Sequence, residues 1–303
     1  MARIAFVFAG QGAQHPGMGE GLYNHNSRVR ALFDASDAIR PGTRAMCFSG
    51  SDAELRQTEN TQPCLFLCDL AAAFALEDAG IHASAAAGFS LGELPALTFA
   101  GAMEPMTGFS VTAKRGELMG AVCGNADTAM YAVLKLENGT VEEICARYAH
   151  VTPVNYNAPG QLVISGDRTE LDAAAADIKA VGGRCIPLAV AGAFHSPYMD
   201  APAEAFGAYL HTVTLTPSRI PVYANRTAAP YDGEIIGTLA DQMNHPVLWE
   251  QTVRRMTDDG IDVFIECGPG NTLSKLITKI APAAKVFCCE TPEDVEKIRG
   301  ALL

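Results

Sequence analysis

The chain has 303 residues, 49% of them hydrophobic and 18% charged, with a mean hydropathy of +0.11, enough apolar material to bury a full core as one large domain or two unequal ones. Its formal charge of −12 at pH 7 argues against nucleic acid or an anionic membrane surface as a partner, and no apolar run reaches membrane-spanning length. The nine cysteines are odd in number and lack C-x-x-C spacing, so they read as reduced, mostly buried thiols of a cytoplasmic protein.

In chain order, Ile4-Ala5-Phe6-Val7-Phe8-Ala9 reads as a buried strand, too short and too soon followed by Gly10-Gln11-Gly12 for a signal peptide. Helical periodicity follows at 29–39 and 65–79, then an apolar strand at 85–89 and a helix at 106–119. The pattern changes in the middle. A strand at 130–136 precedes Thr140-Val141-Glu142-Glu143, a capping box that opens a helix running to 148. Strands at 151–156 and 161–165 flank the turn Asn157-Ala158-Pro159-Gly160, and a helix at 169–181 stops at Gly182-Gly183 before a strand at 184–188. A helix at 247–256 and a strand at 263–267 return to the first pattern.

Strands alternating with helices indicate a parallel sheet covered on both faces. The middle order β-α-β-β-α-β is the ferredoxin-like arrangement. The fold class is therefore α/β: a large α/β-hydrolase-like subdomain with a parallel sheet, residues 1–124 and 191–303, plus an inserted small ferredoxin-like subdomain, residues 125–190. The cleft between two such pieces is where a small-molecule site belongs.

Gly88-Phe89-Ser90-Leu91-Gly92 lies between a short apolar strand and a segment with a proline in its first helical turn. This is the wiring of a nucleophile elbow, a sharp strand-to-helix turn that exposes a serine hydroxyl, and it also suits an ordinary Gly-rich turn. An activated serine needs a base, and of seven histidines His195 fits best. It sits in Gly192-Ala193-Phe194-His195-Ser196-Pro197, where the inserted segment returns to the main sheet. A packed, hydrogen-bonded histidine is the alternative there. The chain lacks the HGGG-type oxyanion loop of simple esterases. It shows neither metal-ligand spacing nor a nucleotide fingerprint.

Several segments together resemble the malonyl-CoA:acyl carrier protein transacylases. They are Phe8-Ala9-Gly10-Gln11-Gly12-Ala13-Gln14, the elbow through Glu93, Lys114-Arg115-Gly116, the run from Pro153 to Gln161, Gly192-Ala193-Phe194-His195, Asn244-His245-Pro246-Val247-Leu248-Trp249 and Glu266-Cys267-Gly268-Pro269-Gly270. They occur in family order over nearly the whole chain.

The resemblance implies a ping-pong acyl transfer in which Ser90 attacks the malonyl thioester and His195 takes its proton. It implies that a backbone carbonyl at Gln242 orients the histidine, and that the N–H groups of Gln11 and Leu91 form the oxyanion hole. Arg115 would read the free carboxylate that distinguishes malonyl from acetyl, because a guanidinium presents a planar two-donor fork. The alternative for Arg115 is a surface pair with Glu117. The implied partners are malonyl-CoA and holo acyl carrier protein, with no cofactor beyond the coenzyme A thioester and the acceptor phosphopantetheine. The product would supply fatty-acid synthesis; an acyl-thioester hydrolase or a polyketide-type acyltransferase could use the same Ser90 and His195.

Two positions depart from the family pattern. Phe89 stands where the elbow normally has histidine, and Ala9 where proline is usual. Phe194 before His195 resembles the malonyl-selective form of polyketide acyltransferases. Carrier proteins are acidic, as this chain is, so docking calls for a local basic surface, for which Lys275 and Lys279 with Arg254 and Arg255 are the candidates.

Overall fold

A computed structural model describes residues 2–190 and 192–303; residue 1 and residue 191, where the second large segment is expected to begin, lie outside the described residues. The strands, in chain order, are β1 (Ile4–Phe8), β2 (Ala85–Gly88), β3 (Thr128–Leu134), β4 (Val151–Ala158), β5 (Gln161–Asp167), β6 (Arg184–Pro187), β7 (Val222–Tyr223), β8 (Val263–Cys267) and β9 (Lys285–Cys289). They form two sheets among the described residues: a parallel one in the order β7-β2-β1-β8-β9 and an antiparallel one in the order β4-β5-β3-β6.

In the parallel sheet, alternation along each strand feeds two helical layers. Phe6, Phe8 and Ile265 enter the larger core with the helix Thr58–Asp78, whereas Ala5, Val7 and Phe264 pack on the other face against Trp249, Leu273 and Ile277. From β1 the chain winds out through β2 and β7 on one side, then through β8 and β9 on the other. The carboxyl ends of the strands beside such a reversal are where α/β sheets hold ligands. β7 and β9 were not legible beforehand; β7 has two residues and joins the sheet by pairing with β2.

The antiparallel sheet carries the helices Asn138–Cys145 and Arg168–Ala180 on one face, packed through Val141, Ile144, Leu171 and Ile178 onto Tyr131, Val133, Leu162 and Ile164. This is the ferredoxin-like unit. Its strand β4 is tied to the larger piece by backbone bonds from Tyr156 N to Val247 O (2.9 Å) and from Val247 N to Val154 O (2.8 Å).

Two local expectations change. The helix expected at 65–79 begins at Thr58 and contains Pro63. It is buried continuously from Thr61 to Leu76, and that burial outweighs the backbone hydrogen bond a proline removes. The helix expected to open on a Thr140 capping box starts at Asn138 after an N-cap Glu137 and ends at Cys145. Glu142 accepts a hydrogen bond from the Tyr156 hydroxyl at 2.7 Å, so it joins the helix to β4. No helix of the described residues is long and apolar enough to cross a membrane.

Candidate active site

β2 ends at Gly88, and the chain turns at once into a short 3-10 turn, Ser90–Gly92, and the helix Glu93–Phe99. The turn is so tight that a Cβ on Gly88 would lie 1.9 Å from the carbonyl of Gly92, and one on Gly92 would lie 2.1 Å from the Phe8 oxygen. Ser90 itself has φ +54°, a left-handed conformation that costs a non-glycine residue on the order of 1–3 kcal/mol. Asn225, delivered just beyond β7 and fully buried, staples the turn. Its Oδ1 accepts the Ser90 N–H at 2.6 Å and its Nδ2 donates to Gly88 O at 2.5 Å.

The Ser90 Oγ lies 2.7 Å from His195 Nε2. His195 also has a left-handed backbone, φ +61°, and its Nδ1 lies 2.8 Å from the backbone oxygen of Gln242. A carbonyl can only accept, so Nδ1 carries the hydrogen and Nε2 presents its lone pair to the serine hydroxyl. Burial pushes the His195 pKa down to about 4, helped by the charge of Arg115 and resisted by the backbone hydrogen bond. The ring is therefore neutral near pH 7.

Arg115 projects from the helix Pro105–Ala121 into the protein and is completely buried. Its Nη1 donates to Gln62 Oε1 (3.0 Å), and its Nη2 donates to Gln242 Oε1 (2.7 Å) and to Ser90 Oγ (3.2 Å). Among the described residues it forms no ion pair, and its buried Nε has no acceptor. The exposed pair with Glu117 belongs to Lys114 instead, at 2.8 Å. Burial lowers the Arg115 pKa to about 10, against the raising effect of Glu93, which leaves the side chain charged at neutral pH.

Gln11 follows β1 and Leu91 follows Ser90. Among the described residues, neither backbone N–H has an acceptor. Beside them a cleft of about 230 Å³ opens between the two sheets, with Gln11, Phe89, Asn155, Asn157, Leu273 and Leu276 in its walls. Ser90 and His195 are not part of those walls; the cleft reaches Phe89, the chain neighbour of Ser90. The Phe89 ring packs edge-on against Trp249, with centroids 5.7 Å apart.

Of the four candidate basic residues, Lys275 and Lys279 are exposed and, among the described residues, unpaired. Arg254 and Arg255 are each taken by an acid one turn away, Glu250 and Asp259. Sequence reasoning missed Gln62, Asn225 and Tyr231, and gave Glu93 no role. The one available signal was a glutamine at the leading edge of an apolar run, at Gln62. Asn225 and Tyr231 come from loops with no local pattern.

Residues 5–286 match the family model described as "Acyl transferase domain". The malonyl CoA-acyl carrier protein transacylase of Bacillus subtilis is 33% identical over 304 residues, covering 98% of this chain and 96% of that protein. A polyketide biosynthesis malonyl CoA-acyl carrier protein transacylase of the same organism is 37% identical over 292 residues, covering 94% and 99%. Among solved structures, the malonyl CoA-acyl carrier protein transacylase of Clostridium perfringens superposes with a TM-score of 0.96 at 34% identity, covering 99% and 97%. A malonyl-transacylase solved in complex with a type II PKS acyl-carrier protein superposes with a TM-score of 0.95 at 29% identity, covering 99% and 100%.

Proposed function

This chain belongs to the acyl transferase domain family and is an acyltransferase; from that premise we propose that it moves malonyl from malonyl-CoA to the phosphopantetheine thiol of holo acyl carrier protein through a malonyl-Ser90 ester. The observation that carries the reading is one oxygen with two neighbours: Ser90 Oγ lies within hydrogen-bond reach of a neutral His195 and of an Arg115 that no carboxylate pairs. A base beside a serine serves acyl transfer generally. A buried guanidinium without an anion beside that serine calls for an acyl group that brings its own carboxylate.

In this reading the Ser90 hydroxyl gives its proton to His195 Nε2 as its oxygen attacks the thioester carbonyl. The negative charge on the tetrahedral oxygen is met by the free N–H groups of Leu91 and Gln11. His195, now protonated and steadied by the Gln242 carbonyl, returns the proton to the departing coenzyme A sulfur. The same steps run in reverse with the phosphopantetheine thiol, which gives its proton to His195 and attacks the ester.

Asn155 and Asn157 line the cleft, and their Oδ1 atoms lack hydrogen-bond partners among the described residues, so they offer acceptors to the amide N–H groups of a pantetheine arm. The helix Thr272–Ile280 gives Leu273 and Leu276 to that cleft and Lys275 and Lys279 to the surface, which suits an acidic carrier protein. We take residues 125–190 as the inserted subdomain that closes the cleft.

Intact-mass spectrometry after brief mixing with malonyl-CoA, with and without holo carrier protein, tests the proposal. The expected result is a malonyl adduct, absent in Ser90→Ala, that passes to the carrier. An adduct lost to water instead would make the protein a hydrolase, and no adduct would remove Ser90 from the mechanism.

A further inference from the structure

Glu93 is the first residue of the helix after the elbow, it is completely buried, and no step above uses it. Its Oε1 accepts a hydrogen bond from the Tyr231 hydroxyl. Its Oε2 accepts from Gln242 Nε2 at 3.0 Å and from the Asn225 N–H at 3.2 Å. Among the described residues it forms no ion pair. A buried carboxylate without a cation in contact is costly to keep, by several kcal/mol before its hydrogen bonds are counted. Helix initiation does not require it, since a neutral cap would serve that turn.

What Glu93 touches accounts for its presence. The Gln242 amide has two donors and both are committed, to Ser90 O at 2.6 Å and to Glu93 Oε2. That leaves its Oε1 facing Arg115 Nη2, the nitrogen that also reaches Ser90 Oγ. Flipping the amide would set N–H groups against the guanidinium and an oxygen against two acceptors, so a single orientation survives. The backbone oxygen of the same Gln242 holds His195. The other residue on Oε2, Asn225, holds both sides of the elbow.

We infer that Glu93 is a positioning residue, whose carboxylate fixes the Gln242 amide and the Asn225 staple and thereby sets Arg115, His195 and Ser90 relative to one another. The inference rests on the acyl-Ser90 reading above. It concerns reach more than charge: an oxygen at the Oε2 site must accept two N–H groups. Glutamine at this position can supply that oxygen while its amide donates to Tyr231, whereas aspartate retains the charge and retracts it by one methylene.

The test compares Glu93→Gln and Glu93→Asp with the unaltered protein, reading the rate of Ser90 adduct formation and the ratio of malonyl to acetyl adducts by intact mass. Glu93→Asp is expected to slow malonyl loading by about ten- to one-hundredfold, the scale of a lost charged hydrogen bond, and to lower the malonyl:acetyl ratio as Arg115 loses its rest. Glu93→Gln is expected to stay within about threefold in both. A purely structural role would reduce the loadable fraction without moving the ratio. Should Glu93→Asp fail to fold, Glu93→Ala carries the same expectation without the buried charge. Unchanged ratios in the shortened variants, or equal loss in Glu93→Gln, overturn the inference. Failure of the unaltered protein to load at all would instead overturn the acyl-Ser90 reading on which it stands.

Discussion

Arg115 Nη2 lies 3.2 Å from Ser90 Oγ, so the guanidinium and the candidate nucleophile are in contact before any substrate arrives. A carboxylate that takes the arginine fork must draw that nitrogen off the serine or share it, which couples acyl recognition to the state of the hydroxyl. Arg115→Ala should therefore lower kcat/KM for malonyl-CoA by roughly a hundredfold, the equivalent of about 2–3 kcal/mol, and let acetyl-CoA compete for Ser90. Competition between the two thioesters, read as adduct mass, checks this, and an unchanged malonyl preference would remove Arg115 from substrate recognition.

The pH dependence follows from His195. Its folded pKa of about 4 lies below the ordinary 6.5, so the neutral ring that can accept the serine proton persists well below pH 6. The acid limb of kcat/KM assigned to His195 should fall between about pH 4 and 5 and not near 6.5. The same shift makes the native state harder to protonate than the unfolded chain, so this group's contribution to stability is present above pH 6.5 and lost as pH falls toward 4. Stopped-flow acylation over pH 4–8 decides the first point; an acid limb centred on 6.5 that persists in Glu93→Gln would contradict it.

Charge reversal of Lys275 and Lys279 together should raise KM for holo carrier protein several-fold and leave malonyl-CoA loading unchanged. Both side chains are exposed, so the effect should shrink as salt is added. Equal KM values for carrier protein before and after reversal would place the docking surface elsewhere.

Asp69 gives a prediction about stability. It lies inside the buried helix Thr58–Asp78, neither carboxylate oxygen has a hydrogen-bond partner among the described residues, and a Cβ on Gly268 would meet its Oδ1 at 1.9 Å. Burial, with the nearby Glu266 charge, pushes its pKa well above the usual carboxylate range. Between the unfolded and folded values the native state holds a proton that the unfolded chain has lost, so stability falls as pH rises. Asp69→Asn removes that titration. Its Tm relative to the unaltered protein should rise from pH 5 to pH 8, and a constant difference across that range would show that Asp69 does not titrate as its burial implies.

Much of the larger frame is local and could be read before any coordinates. β1 is a continuous apolar run, and β8 is one broken at Glu266, because a parallel sheet between helical layers buries both of its faces. The elbow was legible because only glycine fits where a Cβ on Gly88 or Gly92 would lie about 2 Å from Gly92 or Phe8. The first turns of the helix Thr58–Asp78 were missed because Pro63 is a local stop signal, overruled by burial that no local pattern displays.

The sequence by itself determined the α/β class and the inserted β-α-β-β-α-β unit, and it offered a candidate serine and histidine, since these follow from periodicity, turn chemistry and motif spacing. Tertiary structure alone decided how they meet. Ser90, Arg115, His195 and Gln242 come from four separate segments and hydrogen-bond directly to one another, and the bonds that brace them come from Gln62, Glu93, Asn225 and Tyr231, whose neighbours in the chain say nothing of their role. A polar side chain acquires such a role only when folding removes water from it and leaves one set of partners within reach. That set depends on how the carboxyl ends of β1 and β2, the helix Pro105–Ala121 and the loops after β7 pack together.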